Sequence, residues 1–193
     1  TYRVTADPQL LGTPSCMGGE SGVMTTGVAL FNGFDAGNRD AGAWEVQDGC
    51  DGHPQMSSEY HYHTLSSCID DASVSTVIGY ALDGFPITGP KVGDKNILTT
   101  ADLDECHGIT STVTLDGKAV TTYHYVMTQD FPYSVSCFRA TPINPARVAL
   151  VTWSREPAPR RRQAATWCWS AMMKRRPTRC WRSGNPPPIR NSS

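Results

Sequence analysis

The sequence predicts a mainly β domain, compact and disulfide-stapled, of sandwich or barrel-like form. It is expected to consist of two pseudo-symmetric halves with long loops and short helices. Three observations predict this. Short apolar or aromatic runs end in turn-forming pairs, at Asn32-Gly33, Asp83-Gly84 and Asp116-Gly117, where Asn, Asp and Gly tolerate the positive φ of tight turns. Five cysteines, Cys16, Cys50, Cys68, Cys106 and Cys137, fall in the first 139 residues with none spaced as C-x-x-C. That pattern favours disulfides in an oxidising compartment over a thiolate zinc site. Finally, four elements recur in the same order along the chain.

Charge divides the chain before any element is drawn. Residues 1–139 hold 6 Lys+Arg and 17 Asp+Glu, a net of −11, while residues 140–193 hold 11 Lys+Arg and the single acid Glu156, a net of +10. Such a split means the segments are read separately. The acidic part argues against nucleic acid as the partner of the core domain. No run of about twenty apolar residues exists, so no transmembrane segment is expected. The chain opens on Thr1-Tyr2-Arg3, and a signal removed or lying outside this chain is expected if the protein is exported.

Residues 1–23 read as an arm, rich in Pro and Gly, that Cys16 would staple to the body. Residues 24–139 form the expected domain, with halves at about 27–68 and 79–137. In the first half, Gly27–Phe34 is a strand running into the Asn-Gly turn. Trp44–Asp48 is a short strand or helical turn. Cys50, Gly52, His53 and Pro54 make a loop with candidate ligands. Glu59-Tyr60-His61-Tyr62-His63 is a strand, for its aromatic character favours β structure. In the second half, Gly79–Phe85 is a strand entering an Asp-Gly turn. Ala101–Gly108 is an acidic loop with Cys106 and His107. Asp116-Gly117 joins Thr112–Leu115 to Val120–Val126 as a hairpin.

The recurrence aligns Gly27–Phe34 with Gly79–Phe85, and Asp48-x-Cys50 plus His53 with Asp104-x-Cys106 plus His107. Tyr60–His63 then aligns with Tyr123–Val126, and Cys68 with Cys137. Two related units would pack about a pseudo-two-fold axis, and equivalent histidines would converge near it. Of the three pairings open to four cysteines, the repeat prefers Cys50–Cys68 and Cys106–Cys137. Each would contribute about 3 kcal/mol or a little more by the chain-entropy model.

Residues 140–193 contain eight of the 14 prolines, four of the five tryptophans, and the clusters Arg160–Arg162 and Lys174–Arg176. No helical or strand period runs through them. This composition is what a GC-rich gene yields when read out of frame. The tail is expected to be frameshift-derived or disordered, and no part of the native fold.

The histidines carry the chemistry. Residues two apart on a strand share a face, so His61 and His63 stand side by side, with Tyr60 and Tyr62 on the other face. Paired imidazoles suit zinc or copper. The plain alternative is a half-buried strand whose histidines hydrogen-bond to neighbours. The expected ligand set is His61, His63 and His124, with His107 or His53 added. Asp48, Asp104 and Glu105 are expected to orient the rings, and the hydroxyls of Tyr60, Tyr62, Tyr123 and Tyr125 to orient water.

Laid out this way, the chain resembles the bacterial YHYH domain family. The resemblance rests on Thr26–Leu30, Asp35-Ala36, Glu45–Asp48, Cys50, Gly52–Pro54, Tyr60–His63, Cys68, Ile78–Phe85, Ala101–Gly108, Tyr123–Tyr125 and Phe131–Tyr133, and covers about 24–139. It implies an exported protein (periplasmic, lipoprotein-anchored or secreted) with metal binding suspected from its histidines, and it assigns no activity. Val126 stands where the second motif usually ends in His, which implies a reduced ligand set. The reading is therefore an exported domain that binds Zn or Cu through clustered histidines. One alternative is a metal-free module for a carbohydrate or cell-surface partner. The other is a metal-dependent hydrolase with Glu105 or Asp104 as general base, although no His-Glu-x-x-His motif is present.

Overall fold

The computed structural model describes residues 2–143. The expectations for the basic tail fall almost wholly on residues 144–193, outside the described residues. The strands are β1 (Glu20–Met24), β2 (Ala29–Phe31), β3 (Gly52–Pro54), β4 (Tyr60–Tyr62), β5 (Val77–Ala81), β6 (Pro86–Thr88), β7 (Lys91–Val92), β8 (Asn96–Ile97), β9 (Gly108–Leu115) and β10 (Lys118–Val126), with a single-turn helix α1 (Ala41–Trp44) and a 3-10 turn at Thr100–Asp102. The domain is mainly β, as the turn pattern predicts. Its eight principal strands form one sheet in the order β3-β4-β2-β1-β5-β6-β10-β9, and β7-β8 form a separate ribbon. The sheet does not close into a barrel, since β3 and β9 remain its edges.

That strand order reads as two copies of one unit placed back to back. In the first, β1 and β2 form a hairpin, β2 runs parallel to β4, and β3 pairs antiparallel with β4. In the second, β5, β6, β10 and β9 repeat the same relations. The antiparallel pair β1–β5 joins the copies. Register fixes the correspondence. Gly22 faces Leu30 and Leu30 faces Tyr62; likewise Gly79 faces Ile87 and Ile87 faces Tyr125. The repeated hairpins are therefore about 21–31 and 78–88, with Gly27 (φ 84°) and Gly84 (φ 94°) in equivalent turns.

This corrects the expected alignment of Gly27–Phe34 with Gly79–Phe85. The tight turn lies before Ala29, not at Asn32-Gly33. Asn32 instead accepts the Phe34 amide on its own Oδ1 at 3.0 Å, and Gly33 is pressed against the Pro132 carbonyl, where a Cβ would have no room. Asp116-Gly117 does make the tight hairpin turn, with φ of 49° and 75°.

Each unit carries the same clamp. Asp48 Oδ1 accepts from the amides of Cys50 (2.9 Å) and Gly52 (3.3 Å), and from Tyr60 Oη at 2.9 Å. Asp104 Oδ1 accepts from Cys106 N (2.9 Å), Gly108 N (2.9 Å) and Tyr123 Oη (3.1 Å). The phenol reaches its aspartate by passing over the glycine, so a Cβ on Gly52 or Gly108 would overlap the ring. Asp-x-Cys-x-Gly is thus one turn motif. Its fourth residue, Asp51 or His107, takes a left-handed φ of 62° or 71°. His107 is consequently the counterpart of Asp51, and His53 that of Ile109. The expected match of His53 with His107 fails because the residue before the glycine has to close the turn. Gly108→Ala is expected to destabilise the fold by about 1–3 kcal/mol through overpacking against the buried Tyr123 ring. A urea-unfolding curve checks this, and an unchanged midpoint would remove the clamp's structural role.

Disulfides Cys50–Cys68 and Cys106–Cys137 close each unit, with sequence separations of 18 and 31. Cys16 takes part in neither. The arm is instead tied by backbone bonds, Leu11 N to Arg139 O and a bridge from Ser15 to Phe138. Its last residues belong to β1 and so to the sheet. The core runs along one face of the sheet through Met24, Leu30, Tyr62, Ile78, Phe85, Ile87, Tyr123 and Tyr125. There the buried Asp83 carboxylate accepts Tyr125 Oη at 2.7 Å and the amides of Arg139 and Ala140 at 3.0 and 2.9 Å.

Candidate metal centre

The site is assembled from one strand, one strand partner and one helix end. Tyr60–Tyr62 is extended, so His61 and His63 project together from β4 and its exit. The β3–β4 pairing sets His53 directly opposite His61, which puts the third ring on the same face. The fourth group, Glu45, caps the C-terminus of α1 in an extended conformation. α1 is started by Asp40, whose side chain accepts from Ala43 N, and Tyr133 Oη bonds the same carboxylate at 2.8 Å from 93 residues away. Gly42 makes room for that phenol.

One ligand atom from each of Glu45, His53, His61 and His63 lies within 4.8 Å of all the others. His61 Nε2 and His63 Nε2 are 3.0 Å apart. Glu45 Oε2 is 3.0 Å from His53 Nε2 and 3.1 Å from His63 Nε2. Tetrahedral ligands at zinc-nitrogen distances are about 3.3 Å from one another, so these close approaches have the scale of one coordination shell.

The proton positions follow from the partners. His63 Nδ1 meets Asn32 O at 2.5 Å and His61 Nδ1 meets Glu59 O at 3.3 Å. A carbonyl only accepts, so the close bond to Asn32 O places the His63 proton on Nδ1 and leaves its Nε2 with a lone pair. Burial is the main influence on both rings and pushes their pKa below the usual imidazole value. The His63 Nε2 lone pair thus faces His61 Nε2 at 3.0 Å. His53 Nδ1 is buried without a hydrogen-bond partner. Phe31 packs against His61 with ring planes tilted by 35° and centroids 4.2 Å apart, and forms one wall. A cavity of about 590 Å³ opens on the cluster, lined also by Met17, Asn32, Phe34, Asp35, Gln55 and Met56.

Other expected site residues stand elsewhere. His124 lies in the second unit at the position equivalent to His61, but Ile109 and Val126 occupy the places of His53 and His63. Its Nδ1 is 2.9 Å from Thr88 Oγ1 and its Nε2 is 2.7 Å from Ser111 Oγ. His107 donates from Nδ1 to Val126 O at 2.7 Å, and its Nε2 is 3.1 Å from Thr100 Oγ1. Both are fully satisfied core histidines. They do not converge on His61 and His63, because the two units meet at β1–β5 and their histidines lie toward opposite edges of the sheet.

Asp48 and Tyr60, and Asp104 and Tyr123, are spent on the repeated clamp. Hydrogen bonding from the Cys50 amide is the largest influence on Asp48 and holds its carboxyl below the usual range. Burial, aided by the bond to Asp48, pushes the Tyr60 phenol up to about 12. Tyr62 packs in the core and Tyr125 serves Asp83. Glu105 lies 3.7 Å from Arg139, remote from the cluster, so neither it nor Asp104 stands beside the rings as a base. The residue that sequence reading missed is Glu45. Its signal was an acid isolated among Ala41–Val46, inside a stretch already notable for the resemblance.

A family model described as YHYH protein matches residues 1–97. The match spans the whole cluster and stops before β9 and β10, which are also carried by the resemblance drawn over 24–139. No curated protein and no solved structure matches the chain.

Proposed function

The chain belongs to the YHYH protein family, and from that premise we propose that it is an exported domain that holds one transition-metal ion, zinc or copper. His53, His61, His63 and Glu45 are the proposed ligands. The observation that carries the reading is the convergence of one ligand atom from each of Glu45, His53, His61 and His63 within 4.8 Å of one another, with the His61 and His63 Nε2 atoms 3.0 Å apart. Imidazole nitrogens and a carboxylate brought this close together are a ligand set that zinc and copper accept. Glu45 supports the same reading, since its Oε2 lies 3.0 Å from His53 Nε2 and 3.1 Å from His63 Nε2 and adds a carboxylate to the converging rings. A net charge of −11 over residues 1–139 favours cation capture. The two disulfides, and the absence among the described residues of a helix long and apolar enough to cross a membrane, are consistent with an extracytoplasmic location.

The test is metal content by elemental analysis of the protein expressed with export, beside a His61→Ala/His63→Ala double variant. About one equivalent of zinc or copper is expected in the parent and none in the variant. A parent that stays metal-free after supplementation with both metals would overturn the proposal. The cavity would then be assigned to a carbohydrate or protein partner, for which Phe31, Phe34 and exposed Met56 supply apolar walls.

A further inference from the structure

Two methionines line the cavity beside the proposed ligands. Met56 sits in the turn between β3 and β4, the hairpin that carries His53 and His61, and its relative exposure is 106%. It therefore buries no apolar surface in the fold. Met17, in contrast, is 3% exposed and packs in the core. Both line the cavity that opens on His53, His61 and His63. Thioethers are soft donors that select Cu(I), whereas imidazole serves copper and zinc alike. No cysteine, the usual soft donor, lines the cavity, and four of the five described ones are consumed in disulfides. In an oxidising compartment a thioether stays available where a thiol is lost to disulfide formation. Neither Lys nor Arg lines the cavity; Glu45 does, and Asp35 lines it in an ion pair with Arg39 at 2.7 Å.

We infer that the cavity is a Cu(I) site, in which the Met56 and Met17 sulfurs bind Cu(I) together with the histidine cluster. This rests on the metal reading above and narrows its choice of metal to copper. The ion keeps its oxidation state throughout, so no redox partner is required. Zinc, a poorer match for sulfur ethers, would use the histidines and Glu45 alone.

The experiment uses the full chain under anaerobic conditions. Cu(I) affinity is measured against a chromophoric Cu(I) chelator, and Zn(II) affinity against a chromophoric zinc chelator. Met56→Leu and Met17→Leu/Met56→Leu keep side-chain volume, and the exposed Met56 can be replaced without disturbing the core. Cu(I) affinity is expected to fall roughly tenfold in Met56→Leu and further in the double variant, the scale on which single supporting partners affect metal affinity. Zinc affinity should not move in Met56→Leu. X-ray absorption of the Cu(I) form should show sulfur scattering in the parent that the double variant lacks. Equal Cu(I) affinity in parent and double variant, with zinc still bound by both, would overturn thioether ligation and leave the histidine site intact. A parent that binds neither ion would overturn both.

Discussion

Lowering the pH of the metal-free protein from 7 to 5 is expected to remove about 4 kcal/mol of stability through His107 and His124 alone. Both rings are buried, at 1% and 0% exposure, and burial is the main cause that lowers each pKa from 6.5 to about 4. In the unfolded chain both titrate near 6.5. As the pH falls, the unfolded state takes up these protons first and is favoured by them. The stability they supply is therefore complete above about pH 6.5 and is lost between there and about pH 4, roughly 3 kcal/mol for each ring. The lowered His61 and His63 act in the same direction in the absence of metal. Carboxylates such as Asp48, Asp71 and Asp130, held below the usual range by hydrogen bonds, add their loss only at lower pH. Urea midpoints of the chelator-treated protein across pH 4–8 measure the slope. His124→Gln, which retains polar contact with Thr88 and Ser111, should flatten it by about half of the two-ring contribution. A stability independent of pH between 7 and 5 would show that these rings are not buried neutral.

Removal of the Cys106–Cys137 bridge is the second large effect. Both sulfurs are fully buried in the core, and the bridge spans 31 residues. The chain-entropy model assigns about 4 kcal/mol to such a closure. A Cys106→Ala/Cys137→Ala variant adds the cost of the cavity left by two buried sulfurs. A fall in melting temperature on the order of 10 °C is expected for a domain of this size. Cys50–Cys68 spans 18 residues and lies nearer the surface, so its removal should cost about 3 kcal/mol with little cavity term. Thermal melts of the two double variants at pH 7 check the ranking. A larger loss from the Cys50–Cys68 pair would show that loop length and burial do not govern the contribution here.

Most of the strand identities were legible because they are local. Gly79–Phe85 and Asp116-Gly117 state their own turn chemistry, and the alternation in Tyr60–His63 states its own faces. The cysteine pairing was legible for a different reason. It follows from the order of elements in a duplicated chain, and Cys50, Cys68, Cys106 and Cys137 keep that order. The alignment slipped where the chemistry was ambiguous. Histidines attract comparison with histidines, but His107 answers to Asp51, since what the position demands is a backbone that turns left, whatever its side chain.

By itself, then, the sequence determined that this is a β domain of two similar units, closed by two bridges, with His61 and His63 on one face of a strand. Each of these follows from interactions between near neighbours or from the linear order of like elements. Only the tertiary structure decided which groups join that pair. His53 arrives through the register of β3 on β4, and Glu45 through a helix end anchored by Tyr133 from 93 residues away. The same structure sets His124 and His107 among hydroxyls and carbonyls in the other unit. These outcomes depend on parallel pairing across crossovers and on contacts between residues far apart in the chain. Their energies are summed over the whole packed core, and no single stretch of sequence carries them.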